Sequence, residues 1–346
     1  MPHSSSPAVQ PASATVKWVR PDAVPCHPFV GNSRILAEAL RQVQQYARFV
    51  HALVLLEGES GTGKSYFARY LHDCSPRATA PFESVVLPTL DDNLAPSELF
   101  GHVRGAYTDA RSHRLGRFVS ASGGTLFLDE IGKASLRLQA KLLHAVEYRE
   151  IWPVGSDRSV RVDVRLVVAT NVPLEELVSR GEFLPDLAPR LSAFRVRLPA
   201  LRERPEDIPA LVAQFIGLRA PLYGYGERRP FIDERLMTML QEADWPNNLR
   251  QLDATVQRLL VHAEGADVLT IYHLGESAAT LRRADEAKEG LTPERVRAVV
   301  ESTQSVTRAA RALGVSRQTV HRYLARGRDE DSPVRGDRRS VTGDNA

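Results

Sequence analysis

Gly58-Glu59-Ser60-Gly61-Thr62-Gly63-Lys64-Ser65 is the stretch on which the fold turns. It fits the phosphate-loop pattern, two glycines bracketing four residues and followed by Lys and Ser, in full. The glycines let backbone N–H groups converge on phosphate oxygens where side chains would block the approach. Lys64 can reach terminal phosphates as a point charge, and the Ser65 hydroxyl can ligate Mg²⁺. The apolar run Leu53–Leu56 precedes the loop, while Phe67, Ala68 and Leu71 give helical spacing behind it. A helix starting there directs its positive dipole end at the phosphates. The order strand, loop, helix therefore predicts a site for ATP and Mg²⁺, and an ATP hydrolase.

Working outward, apolar runs at Ala52–Leu56, Ser84–Leu87, Thr125–Leu128, Val164–Ala169 and Phe194–Leu198 alternate with longer helical stretches. Short buried strands separated by helices predict an α/β fold with a doubly wound parallel sheet covered on both faces. Glu150–Arg165 reads as a hairpin around Gly155-Ser156-Asp157, inserted before the fourth run. The third run ends in Asp129-Glu130, which places two carboxylates at the C-terminal edge of the sheet, where ligands bind in such folds. Asp129 can hold Mg²⁺ and Glu130 can orient or deprotonate an attacking water. Asn171, ending the fourth run, is either a sensor of the γ-phosphate or a turn residue.

The 346 residues are 43% hydrophobic and 25% charged, an ordinary globular composition. No stretch approaches the roughly 18 apolar residues of a membrane span, and the first 25 residues lack the apolar core of a secretory signal. Two cysteines, Cys26 and Cys74, have no metal-ligand spacing, which favours a reducing cytoplasm over a disulfide framework. The expected organisation is a flexible N-terminal arm (1–28), an α/β nucleotide-binding subdomain (29–198) and a small helical lid (199–272). A linker (273–290), a DNA-binding domain (291–327) and a disordered tail (328–346) follow. An arm of this length is too short for a packed sensing domain, so control is expected from expression level or a separate regulatory protein.

The net charge of +3 is unevenly placed. Residues 291–326 carry seven Arg against Glu294 and Glu301, a local excess of +5 that leaves −2 for the rest. Such a segment suits a polyanion partner. Thr292–Gln304, Val306–Leu313 and Arg317–Arg326 read as three short helices, with Thr292 capping the first ahead of Pro293. The turn Gly314-Val315-Ser316 gives helix-turn-helix logic, and the third helix would offer Arg317, Gln318, His321 and Arg322 to base edges and phosphates of DNA. A solvated basic helix on a small dimerisation unit is the alternative.

Phe29 to about His262 resembles the central ATPase module of bacterial sigma-54-dependent transcriptional activators, a branch of the AAA+ P-loop NTPases. The matching strings are GESGTGKS, SELFGH (Ser97–His102), GRFVSASGGTLFLDEIG (Gly116–Gly132), VRVDVRLVVATN (Val160–Asn171), LPALRERPEDIP (Leu198–Pro209) and WPNNLRQL (Trp245–Leu252). VTRAARALGVSRQTVHRYL resembles the Fis-type helix-turn-helix at the C-terminus of these activators. The resemblance implies a ring, usually a hexamer, that couples ATP hydrolysis to remodelling of sigma-54 RNA polymerase for promoter opening. By position it implies that Asn171 is a first sensor, Arg250 a second sensor on the lid, and Arg190 an arginine finger given to the neighbouring subunit. Gly105-Ala106-Tyr107-Thr108-Asp109-Ala110 then corresponds to the sigma-54 contact loop, GAFTGA in the family. Asp109 stands there for a glycine, Val86 for an asparagine that switches the catalytic Glu, and Leu184 for a first arginine ahead of the finger. Each of these three alters a coupling part, so a second expectation is a DNA-binding regulator whose ATP site controls assembly without remodelling sigma-54 polymerase.

Overall fold

The computed structural model describes residues 29–106, 112–275, 293–303 and 305–313, with the single positions 320 and 324. They fall into two units divided between Leu274 and Gly275. The readings made for residues 1–28, 107–111, 276–292 and 325–346 lie outside the described residues.

The first unit begins with α1 (Arg34–Ala47), β1 (Val54–Glu57), α2 (Lys64–Asp73) and β2 (Phe82–Val86). Helix α3 (Ala95–Phe100) leads into a small antiparallel pair, β3 (Gly101–His102) with β4 (Arg114–Leu115). After α4 (Arg117–Ser120) come β5 (Thr125–Asp129), α5 (Leu136–Tyr148) and a second antiparallel pair, β6 (Glu150–Ile151) with β7 (Val160–Arg161). This second pair is the hairpin expected around Gly155. The strand β8 (Arg165–Thr170), α6 (Leu174–Ser179), α7 (Leu187–Leu191) and β9 (Phe194–Arg197) complete the layer.

Five strands form one sheet in the order β2-β5-β8-β1-β9, with every neighbouring pair parallel. They are the five apolar runs read from the sequence, with ends moved by no more than two residues. Strand side chains alternate between faces. Val54, Leu56, Phe127, Val167, Ala169 and Val196 pack with Leu36, Leu40 and Val43 of α1 and Phe67 and Leu71 of α2. Leu55, Leu126, Leu128, Leu166 and Val168 pack on the other face with Leu138 and Leu142 of α5 and Leu174, Leu187 and Leu191 of α6 and α7. Each such leucine, buried fully, stabilises the fold by about 1.5–3 kcal/mol. This is why an all-apolar run, rather than an alternating one, marks each strand.

Arg165 breaks that pattern. It opens β8 fully buried, and its guanidinium donates to the carbonyl oxygens of Ala47 (2.9 Å) and Tyr46 (2.7 Å). Those carbonyls end α1, where the helix itself supplies no donor; Tyr46 O also accepts the Phe49 N–H at 3.1 Å. Burial, with Arg77 nearby, pushes the guanidinium pKa down to about 10.

The helical lid contains α8 (Ile208–Arg219), β10 (Phe231–Ile232), α9 (Glu234–Glu242), α10 (Asn248–His262) and β11 (Val268–Leu269). Trp245 is its largest fully buried side chain and donates its indole N–H to Leu240 O at 2.7 Å. Arg219 grips Asp253 with two bonds of 2.9 and 2.8 Å, joining α8 to α10. The buried Asp207, one residue before α8, accepts from the backbone N–H groups of Asn32 (2.5 Å) and Ser33 (2.7 Å) and from the Ser33 hydroxyl (2.6 Å). The segment entering α1 is thereby tied to the start of the lid.

The second unit holds α11 (Pro293–Thr303) and α12 (Val306–Leu313). Val296 and Val320 are buried against each other, flanked by Val300, Val306, Leu313 and Leu324. The first two expected helices are present. Of the third, only Val320 and Leu324 are described; both are helical and both join this small core.

Candidate active site

The phosphate loop joins β1 to α2, and its conformation demands its glycines. Gly61 has φ +78°, and a Cβ there would lie 2.1 Å from the carbonyl oxygen of Asn247 on the lid. No other residue fits that approach. Gly63 caps α2 in a left-handed conformation, and the first helical residue is Lys64. The Gly58 N–H donates to Thr170 O (3.2 Å), fixing the loop to the end of β8.

Lys64 is buried, and its ammonium donates to the carbonyl oxygens of Gly58 (2.8 Å) and Glu59 (3.0 Å). Burial holds its pKa below the ordinary lysine value, against the opposing pull of Asp129 and Glu130. An incoming phosphate would supply the countercharge this ammonium lacks. The Ser65 hydroxyl donates to Asp129 Oδ2 at 3.3 Å, so the two residues named for Mg²⁺ meet across α2 and β5. Hydroxyl and carboxylate oxygens are the donors a hard cation takes, with water filling the remaining positions.

Glu130 follows in the left-handed region, φ 57° and ψ 47°, with its N–H bonded to Asp129 Oδ1 (2.9 Å). A residue with a side chain bears a cost of about 1–2 kcal/mol in that conformation. Asn171 is exposed at the same sheet edge, one residue beyond the Thr170 that holds Gly58. Arg250, in the first turns of α10, donates to the Ser60 hydroxyl at 3.4 Å. The fold thus brings Lys64, Ser65, Asp129, Glu130, Asn171 and Arg250 to one edge.

Glu59 and Thr62 turn elsewhere. The Thr62 hydroxyl closes the loop on Glu59 O (2.8 Å). The Glu59 carboxylate takes two bonds from Arg202 (2.8 and 2.6 Å) and one from Asn248 (3.2 Å). Burial raises the Glu59 pKa, but Arg202 and Asn248 outweigh it and hold the carboxyl below its ordinary value. Sequence reading missed Arg202 and Asn248 as site residues. Both lie inside strings that had been singled out, but no spacing rule links them to a loop far away in the chain.

Arg190 lies apart from the loop, on α7, bonded to Glu147 of α5 and to Asp186 O (2.9 Å). Gly105 and Ala106 stand at the base of the segment leading to β4. Val103 N–H bonds to Val154 O (3.1 Å), and Val154 N–H to Gly101 O (2.8 Å). Gly155, at φ +79°, passes so near that a Cβ would be 2.8 Å from the Ala106 Cβ. The β6–β7 hairpin therefore braces that base. Tyr107, Thr108, Asp109 and Ala110 lie outside the described residues, as do Arg317, Gln318, His321 and Arg322.

Residues 29–197 match the family model of the sigma-54 interaction domain, and residues 202–290 match that of the AAA+ ATPase lid domain. The transcriptional regulatory protein ZraR of Salmonella typhimurium is 38% identical over 307 residues, covering 86% of this chain and 68% of that protein. The chain belongs to the sigma-54-dependent transcriptional activators. The Nif-specific regulatory protein of Herbaspirillum seropedicae is 44% identical over 246 residues, 70% of this chain and 44% of that one. Among solved structures, NtrX from Brucella abortus in complex with ATP matches with a TM-score of 0.65 at 32% identity, covering 86% of this chain and 68% of that one.

Within the activator family the departures now have places. Val86 ends β2 directly opposite Asp129 of β5. Leu184 packs against the main core, and its N–H bonds to Gln139 Oε1 at 2.8 Å. The lid match extends to residue 290, across the stretch read as a linker. Among the described residues no helix is long and apolar enough to cross a membrane.

Proposed function

We propose that this activator binds ATP with Mg²⁺ at Gly58–Ser65, hydrolyses it within a ring of like subunits, and uses the turnover to remodel sigma-54 RNA polymerase from an upstream DNA site. The observation that carries the proposal is the convergence of Lys64, the Ser65–Asp129 pair and Arg250 on a single loop. That a related protein, NtrX, is known in complex with ATP supports the same ligand here.

In this reading the loop N–H groups and Lys64 hold the β- and γ-phosphates, and Arg250 reaches the γ-phosphate from the lid. Ser65 and Asp129 hold Mg²⁺, which offsets phosphate charge when bound. Glu130 takes the proton of the attacking water as its oxygen bonds to the γ-phosphorus and ADP leaves with the bridging oxygen. Asn171 orients that water. Arg190, turned away from its own loop, supplies transition-state charge stabilisation to a neighbour's site. Gly105–Ala110 engages sigma-54, and Arg317, Gln318, His321 and Arg322 read DNA.

A second reading keeps DNA binding and lets ATP control assembly alone. Val86 beside Asp129 and Leu184 packed against the main core favour it, since neither supplies the polar group used by the family. The deciding experiment is open-complex formation in vitro on a sigma-54 promoter, with ATP against a non-hydrolysable analogue. The first reading expects opening with ATP only. Hydrolysis without opening would select the second, and recovery of opening by Asp109→Gly would locate the cause in the contact loop.

A further inference from the structure

Glu59 belongs to the phosphate loop, yet its carboxylate is held by side chains of the lid. Arg202 approaches it from the turn that begins the lid with both guanidinium arms, a side-on pair about one-fifth exposed on each partner. Asn248 approaches from the first residue of α10. Its amide donates to Glu59 Oε2 and to Ser60 O (2.9 Å), while its own oxygen accepts the Leu201 N–H (2.7 Å). Asn248 holds φ +49° to do this, and the next residue, Leu249, donates its N–H to Gly61 O at 3.0 Å. The Asn248 amide nitrogen and both Glu59 oxygens are thereby engaged across the loop–lid boundary, while the Asn248 oxygen is fixed within the lid by Leu201. Two residues along the same turn of α10 lies Arg250.

We infer that Arg202 and Asn248 are positioning residues that latch the lid to the phosphate loop through Glu59, so that Arg250 stays registered on the γ-phosphate. Neither residue needs to touch nucleotide. A bidentate pair fixes direction as well as distance, and misplacing a transition-state group by about 1 Å can cost on the order of 100-fold in rate. The role assigned to Arg250 rests on the ATPase reading above; the latch itself does not.

The test uses the full chain with Arg202→Met, Arg202→Lys and Arg250→Ala. In nucleotide-free protein, amide hydrogen exchange at Leu249 should accelerate about tenfold or more in Arg202→Met, with Leu126 and Val167 of the sheet unchanged. Arg202→Lys should recover part of that protection. In turnover, kcat should fall on the order of tenfold or more with KM changed less than about threefold. Arg202→Met combined with Arg250→Ala should be no slower than Arg250→Ala alone. Unchanged Leu249 protection, or loss spread evenly through the sheet, would overturn the latch. Additive rate losses would overturn its action through Arg250. If the wild-type chain proves not to hydrolyse ATP, the ATPase reading fails while the exchange experiment still decides the latch.

Discussion

Val86 and Asp129 are direct partners in the parallel pairing of β2 with β5, the last residue of each strand facing the other at the edge that carries the phosphate loop. Glu130 begins one residue later. An amide at position 86 would stand within reach of both carboxylates, whereas the half-exposed valine offers them no hydrogen bond. Val86→Asn should therefore offer Glu130 a hydrogen bond that competes with the attacking water. The expected outcome is a kcat roughly three- to tenfold lower at saturating ATP, with unchanged ADP affinity. An unchanged rate would show that Glu130 turns over free of any group at position 86.

Glu57 ends β1 just before the loop, with Oε1 buried and without a hydrogen-bond partner and Oε2 3.4 Å from Arg195. Burial raises its pKa, ahead of the lowering by Arg195. A carboxyl raised in the folded state costs nothing below its unfolded pKa, where both states are protonated. The cost grows as pH rises toward the folded value and is complete above it. Glu57→Gln should thus raise Tm at pH 8 by a few degrees, about 1 kcal/mol, and raise it less at pH 4.5. Paired melts at the two pH values check the sign.

The sheet was legible because each strand is buried on both faces and so reads as an unbroken apolar run between helices. Lys64, Ser65 and Asp129 were legible because their chemistry is written in local strings whose geometry a strand–loop–helix unit fixes. Arg202 and Asn248 were not. They reach Glu59 across 143 and 189 residues, through a lid approach that no local pattern encodes. The left-handed backbone at Glu130 is equally hidden, since Glu carries no preference for it. Arg165 could be placed within an apolar run, but its partners depend on where α1 stops against the sheet.

That placement makes Arg165 a stability determinant. Among the described residues no carboxylate lies within ion-pair distance of it, and its Nε has no partner. What it supplies is two donors for the terminal carbonyls of α1. Arg165→Met removes a buried charge, which by itself favours folding, but it leaves the Ala47 carbonyl unpaired at about 1–3 kcal/mol and takes the charged donor from the Tyr46 carbonyl, which keeps the Phe49 N–H at 3.1 Å. The net expectation is a loss of about 2 kcal/mol and a Tm lower by roughly 4–8 °C. Arg165→Lys, keeping the charge but only one nitrogen in place of the two that reach the carbonyls, should fall between. Denaturant melts with unchanged slope would confirm a native-state effect.

Arg190 is held by Glu147 and Asp186 on the side of the domain built from α5 and α7, while its own phosphate loop is served by Arg250. If it acts on a neighbouring subunit, its loss and the loss of Lys64 damage different halves of one shared site. Arg190→Ala should then lower ATP turnover about 10³-fold or more while leaving nucleotide affinity intact. Lys64→Ala should abolish binding. Neither variant is active alone, but in a mixture the intact loop of an Arg190→Ala subunit can meet the intact arginine of a Lys64→Ala subunit. Partial recovery of hydrolysis on mixing is the expected outcome, rising with total protein concentration as rings assemble. Leu184, partly buried against the main core, offers no guanidinium beside Arg190. A mixture that stays inactive at concentrations where assembly is measured directly would place Arg190 outside catalysis.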